Sequence, residues 1–432
     1  MHDDVYYEYN PWWEGKYTLE NAVERPNVLD KMEKFLESGS VVFLTGLRRV
    51  GKTTLMKLFI QGLLKKGVNP KNIFYVSLDD YVLDTESIID IVGHYRKIHK
   101  LPVEEKVFFF LDEIAHKDKF HQQLKNLYDR QNVKIYAASS SSSILKDKKA
   151  FLTGREFILE VLPLDFYEYL QFKKISVKKR DHQLLGTYFL EFLQTGGIPE
   201  YVLYRQREYL QNLVDDIIYK DIIAYHKIRN PQVIKDLFKI LMGNVGGPVS
   251  IYKISNTLKI SSETTSRYLQ MLEDTYLIYL VPRQGSTNQM ISSPKKIYAS
   301  DIGIRNLFTG FIKKGRAFEN YVYLKIKDFE PVYIYENQVE IDFYLNYLNN
   351  KILVEVKFDE DIRENQRVLF EKFAADHKRV VKGFEDLDEL ETLLESYQRG
   401  LPQYGQLSKP GSTNLPQGWK SGARQKSITE RK

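Results

Sequence analysis

The sequence predicts an α/β protein that opens with a parallel sheet covered on both faces and ends in a smaller α/β unit. Three observations predict it. Five short apolar runs, "VVFLT" at 41–45, "IFYVSL" at 73–78, "VFFFL" at 107–111, "VKIYAA" at 133–138 and "EFILEV" at 156–161, alternate with amphipathic helical stretches. Strands that alternate with helices pair in parallel and are buried on both sides. From about 166 to 245 the pattern turns helical, broken by "GGIPEY", and from roughly 290 it reads helix, hairpin, helix, strand. A length of 432 residues also exceeds one ordinary core and fits about three domains at roughly 150 residues each.

Composition narrows the chemistry. The chain is 43% hydrophobic and 13% aromatic, enough for several cores. Cysteine is absent, which excludes disulfides, thiolate metal sites and a cysteine nucleophile. A reducing, cytoplasmic location fits. The N-terminus "MHDDVYYEYNPWWEGKY" is acidic and aromatic, unlike a secretory signal. No apolar run approaches the ~18 residues that span a bilayer, so no membrane is expected. The net charge of +6 belongs to the end of the chain: Arg399 to Lys432 holds seven Lys/Arg and one Asp/Glu, and the remainder is balanced. That Pro/Gly/Ser/Gln-rich tail, 397–432, is expected to be disordered. It could touch nucleic acid without specificity or simply aid solubility.

The strongest signal is "GLRRVGKTT" at 46–54, which fits G-x-x-x-x-G-K-[ST] between a strand and the helix "TTLMKLFIQGLL". Gly46 and Gly51 let the backbone curl so that its N–H groups face phosphate oxygens. The helix N-terminus adds partial positive charge. Lys52 would reach the β- and γ-phosphates, and Thr53 would offer its hydroxyl to Mg²⁺. Gly46, Gly51, Lys52, Thr53 and Thr54 form the expected ATP-binding set.

The strand "VFFFLDEIA" ends in Asp112 and Glu113, at the carboxyl edge where open α/β sheets bind ligands. Asp112 would hold Mg²⁺ through water. Glu113 is the candidate base that orients the attacking water. The next strand ends in a serine run, and Ser139 is the candidate γ-phosphate sensor; a serine loop with no role competes. "LTGREF" places Arg155 before the last strand. There it could reach a neighbouring subunit's γ-phosphate in a homo-oligomeric ring, or serve as an ordinary surface arginine.

This order of parts resembles the AAA-type ATPases. "GGIPEY" looks like the Gly-x-Pro turn of their signal-transducing branch with numerous domains, which implies that Pro199 packs near the nucleotide from a helical lid. "NPWW", "GLRRVGKTTL", "LDEI", "LTGR", "LPLDFYEYL" and "GGIPEY" together resemble a prokaryotic, archaeal-type ATPase family. The resemblance covers roughly residues 10–390. It implies a P-loop core at 1–165, a lid at 166–245, a winged helix at 246–290 and a restriction-endonuclease-like α/β domain at 291–396. Where that family often carries Thr-Gly-Ser at the sensor strand, this chain has "AASS".

"PVSIYKISNTLKISSETTSRYLQMLEDTYLIYLVPR" reads as a winged helix in its own right. Ile251, Ile254 and Leu258 make one apolar face, and Leu269, Leu272 and Leu277 another. A DNA-reading second helix would present Ser262, Thr265, Ser266 and Arg267, with Arg283, Lys295 and Lys296 nearby. Glu263, Glu273 and Asp274 oppose Arg267 on that helix, so a protein-binding module is the rival.

The last signal is "VEIDFYLNYLNNKILVEVKF" at 339–358. Residues two apart on a strand face the same side, so Asp342, Glu355 and Lys357 share a face. If Leu348-Asn349 centres the turn, Asp342 lies opposite Glu355; if Asn349-Asn350 does, it pairs with Lys357. Two close carboxylates repel unless a cation lies between them or one is protonated. Asp342 and Glu355 are therefore candidate ligands for a second Mg²⁺ or Mn²⁺, with Lys357 positioning the attacking water. With Glu319 upstream, the Glu, Asp, Glu-x-Lys order resembles the PD-(D/E)XK nuclease signature, although Ile341 rather than proline precedes Asp342. Gln366 is a further candidate. The plain alternative is a solvated hairpin face.

Three functions follow as expectations. The first is a Mg²⁺-dependent ATPase acting on or near DNA, its nucleotide state moving the lid, winged helix and nuclease-like domain. The second is a nucleotide-dependent switch that binds a protein partner and cuts nothing. The third is an ATP-gated metal-dependent nuclease.

Overall fold

The computed structural model describes residues 2–20, 22–140, 156–178 and 181–399. Arg155 and nearly all of the basic tail lie outside the described residues. β1 (Val41–Thr45), β2 (Ile73–Ser77), β3 (Val107–Asp112), β4 (Val133–Ala138) and β5 (Glu156–Glu160) form a parallel sheet in the order β2-β3-β4-β1-β5. Strands β1 to β4 are apolar on both faces because helices cover both sides.

The N-terminal "NPWW" finishes this sheet. β2 is its edge strand, with main-chain groups open to pairing. The Asn10 amide nitrogen donates to the Tyr75 carbonyl at 2.8 Å, and its amide oxygen accepts from the Tyr75 N–H at 2.7 Å. The indole N–H groups of Trp12 and Trp13 both donate to the Ile73 carbonyl, at 3.1 and 3.0 Å. Side chains thus occupy an edge that would otherwise template aggregation.

The helical segment after the sheet joins two cores. Helices Phe166–Phe172 and His182–Thr195 bury Phe166, Phe189 and Phe192 against Phe318, Tyr321 and Phe384 of the C-terminal unit. Helices from Pro199 to Gly243 pack with the nucleotide-loop side of the sheet. Gly196-Gly197 lies in the connection between them. A Cβ on Gly197 would lie 2.1 Å from the Leu164 carbonyl oxygen, and one on Gly196 2.4 Å from the Gly303 nitrogen. Glycine is needed there because three segments meet backbone to backbone.

Next come β6 (Pro248–Val249), helices Ile251–Leu258 and Ser262–Asp274, β7 (Ile278–Val281) and β8 (Lys295–Ala299), with sheet order β6-β8-β7. Ser250 and Ser261 cap the two helices. Ile254, Leu269, Leu272 and Leu277 are buried, while Ile251 stays 38% exposed at the helix start.

The C-terminal unit runs helix Lys314–Ile326, β9 (Val332–Glu336), β10 (Val339–Tyr347), β11 (Asn350–Val356), helix Glu364–Lys372 and β12 (His377–Val381). Its sheet order is β12-β11-β10-β9, with β11 and β12 parallel. Leu348 and Asn349 both have positive φ, 51° and 65°, as a two-residue I′ hairpin turn requires. Phe343 therefore pairs with Val354, which sets Asp342 opposite Glu355. The polar face of the hairpin is not solvated: Asp342 is 7% exposed and Glu355 0%. Among the described residues no helix is long and apolar enough to cross a membrane.

Candidate functional site

The loop after β1 opens at the carboxyl edge of the sheet. Gly46 has φ 127°, and a Cβ there would lie 2.3 Å from the Val161 carbonyl oxygen; Gly51 has φ 96° with open space around it. The first glycine is thus demanded by both packing and backbone, the second by backbone alone. Helix Lys52–Lys65 begins here with no side-chain cap. The first-turn N–H groups of Lys52, Thr53 and Thr54 donate to no other described residue, so three donors at a positive helix end face the loop interior.

Lys52 Nζ is buried and donates to the Gly46 and Leu47 carbonyls, both at 2.9 Å. Burial lowers its pKa to about 8, against the pull of Glu113 and Asp112. Thr53 Oγ1 donates to Asp112 Oδ2 at 2.5 Å, and the Tyr75 hydroxyl donates to the same oxygen at 3.0 Å. Asp112 Oδ1 accepts the Glu113 N–H at 3.0 Å. Glu113 sits in the left-handed region at φ 48°, and burial raises its pKa, opposed chiefly by Lys52. These donors suit an anion at the helix end, and the Thr53–Asp112 pair suits a hard cation beside it.

Ser139 is buried at the end of β4, its N–H donating to the Leu44 carbonyl at 3.0 Å. The next hydroxyl, that of Ser140, reaches Glu113 Oε2 at 3.5 Å. Pro199 starts a helix, and its neighbour Glu200 pairs with Arg49 at 3.7 Å. Arg48 pairs with Asp221 at 3.2 Å. Asp221 lies in a stretch of π-helix, Ile217–Ala224, a rare winding that is frequent at functional sites. Burial raises its pKa, and Arg48 opposes that. Both variable arginines of the loop are thus tied to the helical segment. The double arginine was visible in "GLRRVGK"; Tyr75, Asp221 and Glu200 carry no local signal.

A second cluster gathers Glu319, Asp342, Glu355, Lys357 and Gln366, and adds two residues the sequence reading did not place there, Lys296 and Glu340. Lys296 Nζ lies 2.9 Å from Glu319 Oε1, 2.8 Å from Glu340 Oε1 and 2.9 Å from Asp342 Oδ1, and it is 0% exposed. Burial alone would lower its pKa, but Asp342 and Glu319 outweigh that and hold it well above the ordinary lysine value. Asp342 Oδ2 accepts the Val356 N–H at 3.0 Å. Glu355 Oε1 accepts from Lys357 at 2.5 Å and from Gln366 at 2.9 Å, while Oε2 accepts the Asp342 N–H at 3.2 Å. Arg316 pairs with Glu319 Oε2 at 3.1 Å. Burial, then Asp342, pushes the Glu355 carboxyl up to about 8.

This arrangement corrects two expectations. The Asp342–Glu355 pair as held does not fit a second Mg²⁺ or Mn²⁺. Each of its oxygens accepts a protein hydrogen bond, and an ammonium already stands among the carboxylates. Lys296 is also lost as a DNA contact because it is buried. Arg283 donates to the Tyr335 carbonyl, leaving Lys295 as the exposed member of that trio. Thr265 is 0% exposed, its hydroxyl bonded to the Ser261 carbonyl at 3.1 Å. It cannot face a groove, whereas Ser262, Ser266 and Arg267 are exposed.

Residues 38–170 match the family described as AAA domain, and residues 186–314 match a domain of unknown function. The uncharacterized protein MJ1544 of Methanocaldococcus jannaschii is 31% identical over 383 residues, covering 83% of this chain and 84% of that protein. An uncharacterized protein of Haemophilus influenzae is 26% identical over 370 residues, covering 80% of this chain and 90% of that one. Among solved structures, AMPPCP-bound DnaA from Aquifex aeolicus aligns at 15% identity over 61% of this chain and 92% of that chain, with a TM-score of 0.27, too low to bear on function. The first block of the chain is a P-loop ATPase domain of the AAA type.

Proposed function

Since the chain belongs to the family of the uncharacterized Methanocaldococcus jannaschii protein MJ1544 and carries an AAA ATPase domain, we propose that it is a Mg²⁺-dependent ATPase that acts on or near DNA. Lys52 swings from the Gly46 and Leu47 carbonyls onto the β- and γ-phosphates, joined by the N–H groups of Lys52, Thr53 and Thr54. Gly46 and Gly51 shape the cradle. Thr53 and Asp112 hold Mg²⁺, which when bound offsets the charge that develops on the phosphates. Glu113 orients the attacking water, and the serines at 139 and 140 sense its γ-phosphate target. Arg155 supplies a guanidinium from a neighbouring copy in a ring.

One observation carries the coupling: Arg48 and Arg49 are bound to Asp221 and Glu200 of the helical segment. Triphosphate oxygens compete with those carboxylates for the same guanidinium groups. ATP arrival therefore loosens the segment, and hydrolysis restores its grip. Residues 246–290, read as a winged helix, then shift with it. The α–β–β–β–α–β order of 314–381 supports a nuclease-like unit.

The test is ATP turnover with and without single-stranded, duplex and branched DNA. Lys52→Ala is expected to abolish turnover, and at least one DNA form to change the wild-type rate. If no DNA is retained or alters the rate, the second reading holds, a switch for a protein partner. Glu263, Glu273 and Asp274 against Arg267 on helix Ser262–Asp274 favour that alternative.

A further inference from the structure

Tyr75 joins the N-terminal segment to the phosphate site. It lies on β2 and pairs with Phe110 of β3. Residues two apart on a strand share a face, so Asp112 stands one step further along the same side. The Tyr75 hydroxyl reaches across and donates to Asp112 Oδ2 at 3.0 Å. On the outer edge of the sheet, both ends of the Asn10 amide clamp the Tyr75 main chain, at 2.8 and 2.7 Å. Asn10 is itself tied to the Tyr6 carbonyl at 2.8 Å. The Tyr9 ring meets the Tyr75 ring edge-on at 5.8 Å, and Lys57 Nζ lies 5.3 Å from the ring centre. Tyr75 is buried, so its ring has little room to turn.

We infer that Tyr75 is a positioning residue for the ATPase: it fixes the plane of the Asp112 carboxylate for Mg²⁺ uptake beside the phosphates, and the Asn10 clamp holds it in place for that task. The inference rests on the Mg²⁺-dependent ATPase function proposed for this site. Asp112 Oδ2 accepts from both Thr53 and Tyr75, and Oδ1 accepts the Glu113 N–H at 3.0 Å. A carboxylate oxygen offers about two acceptor directions, so Oδ2 is filled. When Thr53 turns its hydroxyl oxygen to the cation, one direction on Oδ2 opens towards the cation's hydration shell. Tyr75 and the Glu113 N–H then remain as the bonds that keep the carboxylate from turning. The terminal torsion of an aspartate is soft, so with one of those bonds removed the group swings. Hydrogen-bond partners of metal-binding carboxylates set metal affinity by roughly 10–100-fold; Asp112 acts through water, so the low end, about tenfold, is expected of Tyr75.

The experiment is binding of a fluorescent ATP analogue to the full chain, in Mg²⁺ and again in EDTA. Wild type is expected to bind more tightly in Mg²⁺. Tyr75→Phe, which keeps the ring and removes only the hydroxyl, is expected to lose about tenfold of that gain while its affinity in EDTA holds. In an Asp112→Asn background, Tyr75→Phe is expected to add no further loss, because the hydroxyl acts through that carboxylate. Equal losses in Mg²⁺ and EDTA overturn the inference, since they mark a structural role. No loss in either, or a full further loss on top of Asp112→Asn, overturns it too. So does a Tyr75→Phe chain that fails to fold, because the hydroxyl would then serve the core and not the carboxylate. A wild type that gains nothing from Mg²⁺ defeats the proposed Mg²⁺ site itself, and this inference with it.

Discussion

Replacing Asp221 by asparagine isolates the link between the phosphate loop and the helical segment. Arg48 and Asp221 meet at 3.2 Å, with side chains 30% and 22% exposed. Coulomb's law at an effective dielectric of about 20 gives roughly 5 kcal/mol at such a distance. Desolvation and the entropy of holding two side chains leave about 1 kcal/mol for partly exposed pairs. If ATP must break this contact, Asp221→Asn should tighten ATP binding by up to about fivefold, because 1.4 kcal/mol is a factor of ten. Arg49 and Glu200 are each 50% exposed and 3.7 Å apart, so Glu200→Gln should change little. The assay is titration with a fluorescent ATP analogue in Mg²⁺, repeated at high salt, where the Asp221→Asn advantage should shrink. Asp221→Asn that weakens ATP binding, or leaves it unchanged while Glu200→Gln alters it, would refute the competition between carboxylate and phosphate.

Two further outcomes bear on other parts of the molecule. The Glu355 carboxyl titrates at about 8 in the folded chain against 4.5 when free. A raised carboxyl contributes stability that is complete below about 4.5 and is lost as pH climbs towards 8. Glu355→Gln should therefore gain on wild type across that window in urea unfolding, and parallel profiles would count against a protonated Glu355. Arg155→Ala mixed with Lys52→Ala should recover at most the activity of mixed interfaces if the arginine works across subunits; full turnover by a monomeric enzyme would exclude that role.

The reach of sequence reasoning tracks how local each feature is. The hairpin illustrates the boundary. Alternation placed Asp342, Glu355 and Lys357 on one face, but two registers remained open until positive φ at Leu348 and Asn349 chose between them. Thr265 was misjudged because helical spacing does not say which side of a short helix a neighbour covers. Burial of the hairpin's polar face was likewise beyond reach, since it depends on what packs there.

By itself the sequence determined the phosphate loop, the acid pair ending β3 and the order of strands and helices. A backbone turn, a helix end and an apolar strand are each made by residues adjacent in the chain. Tertiary structure alone decided that Lys296 would neutralise Glu319, Glu340 and Asp342, and that Arg48 would grip Asp221. Charges pair by distance in space, and those partners are far apart along the chain, so no spacing rule records them.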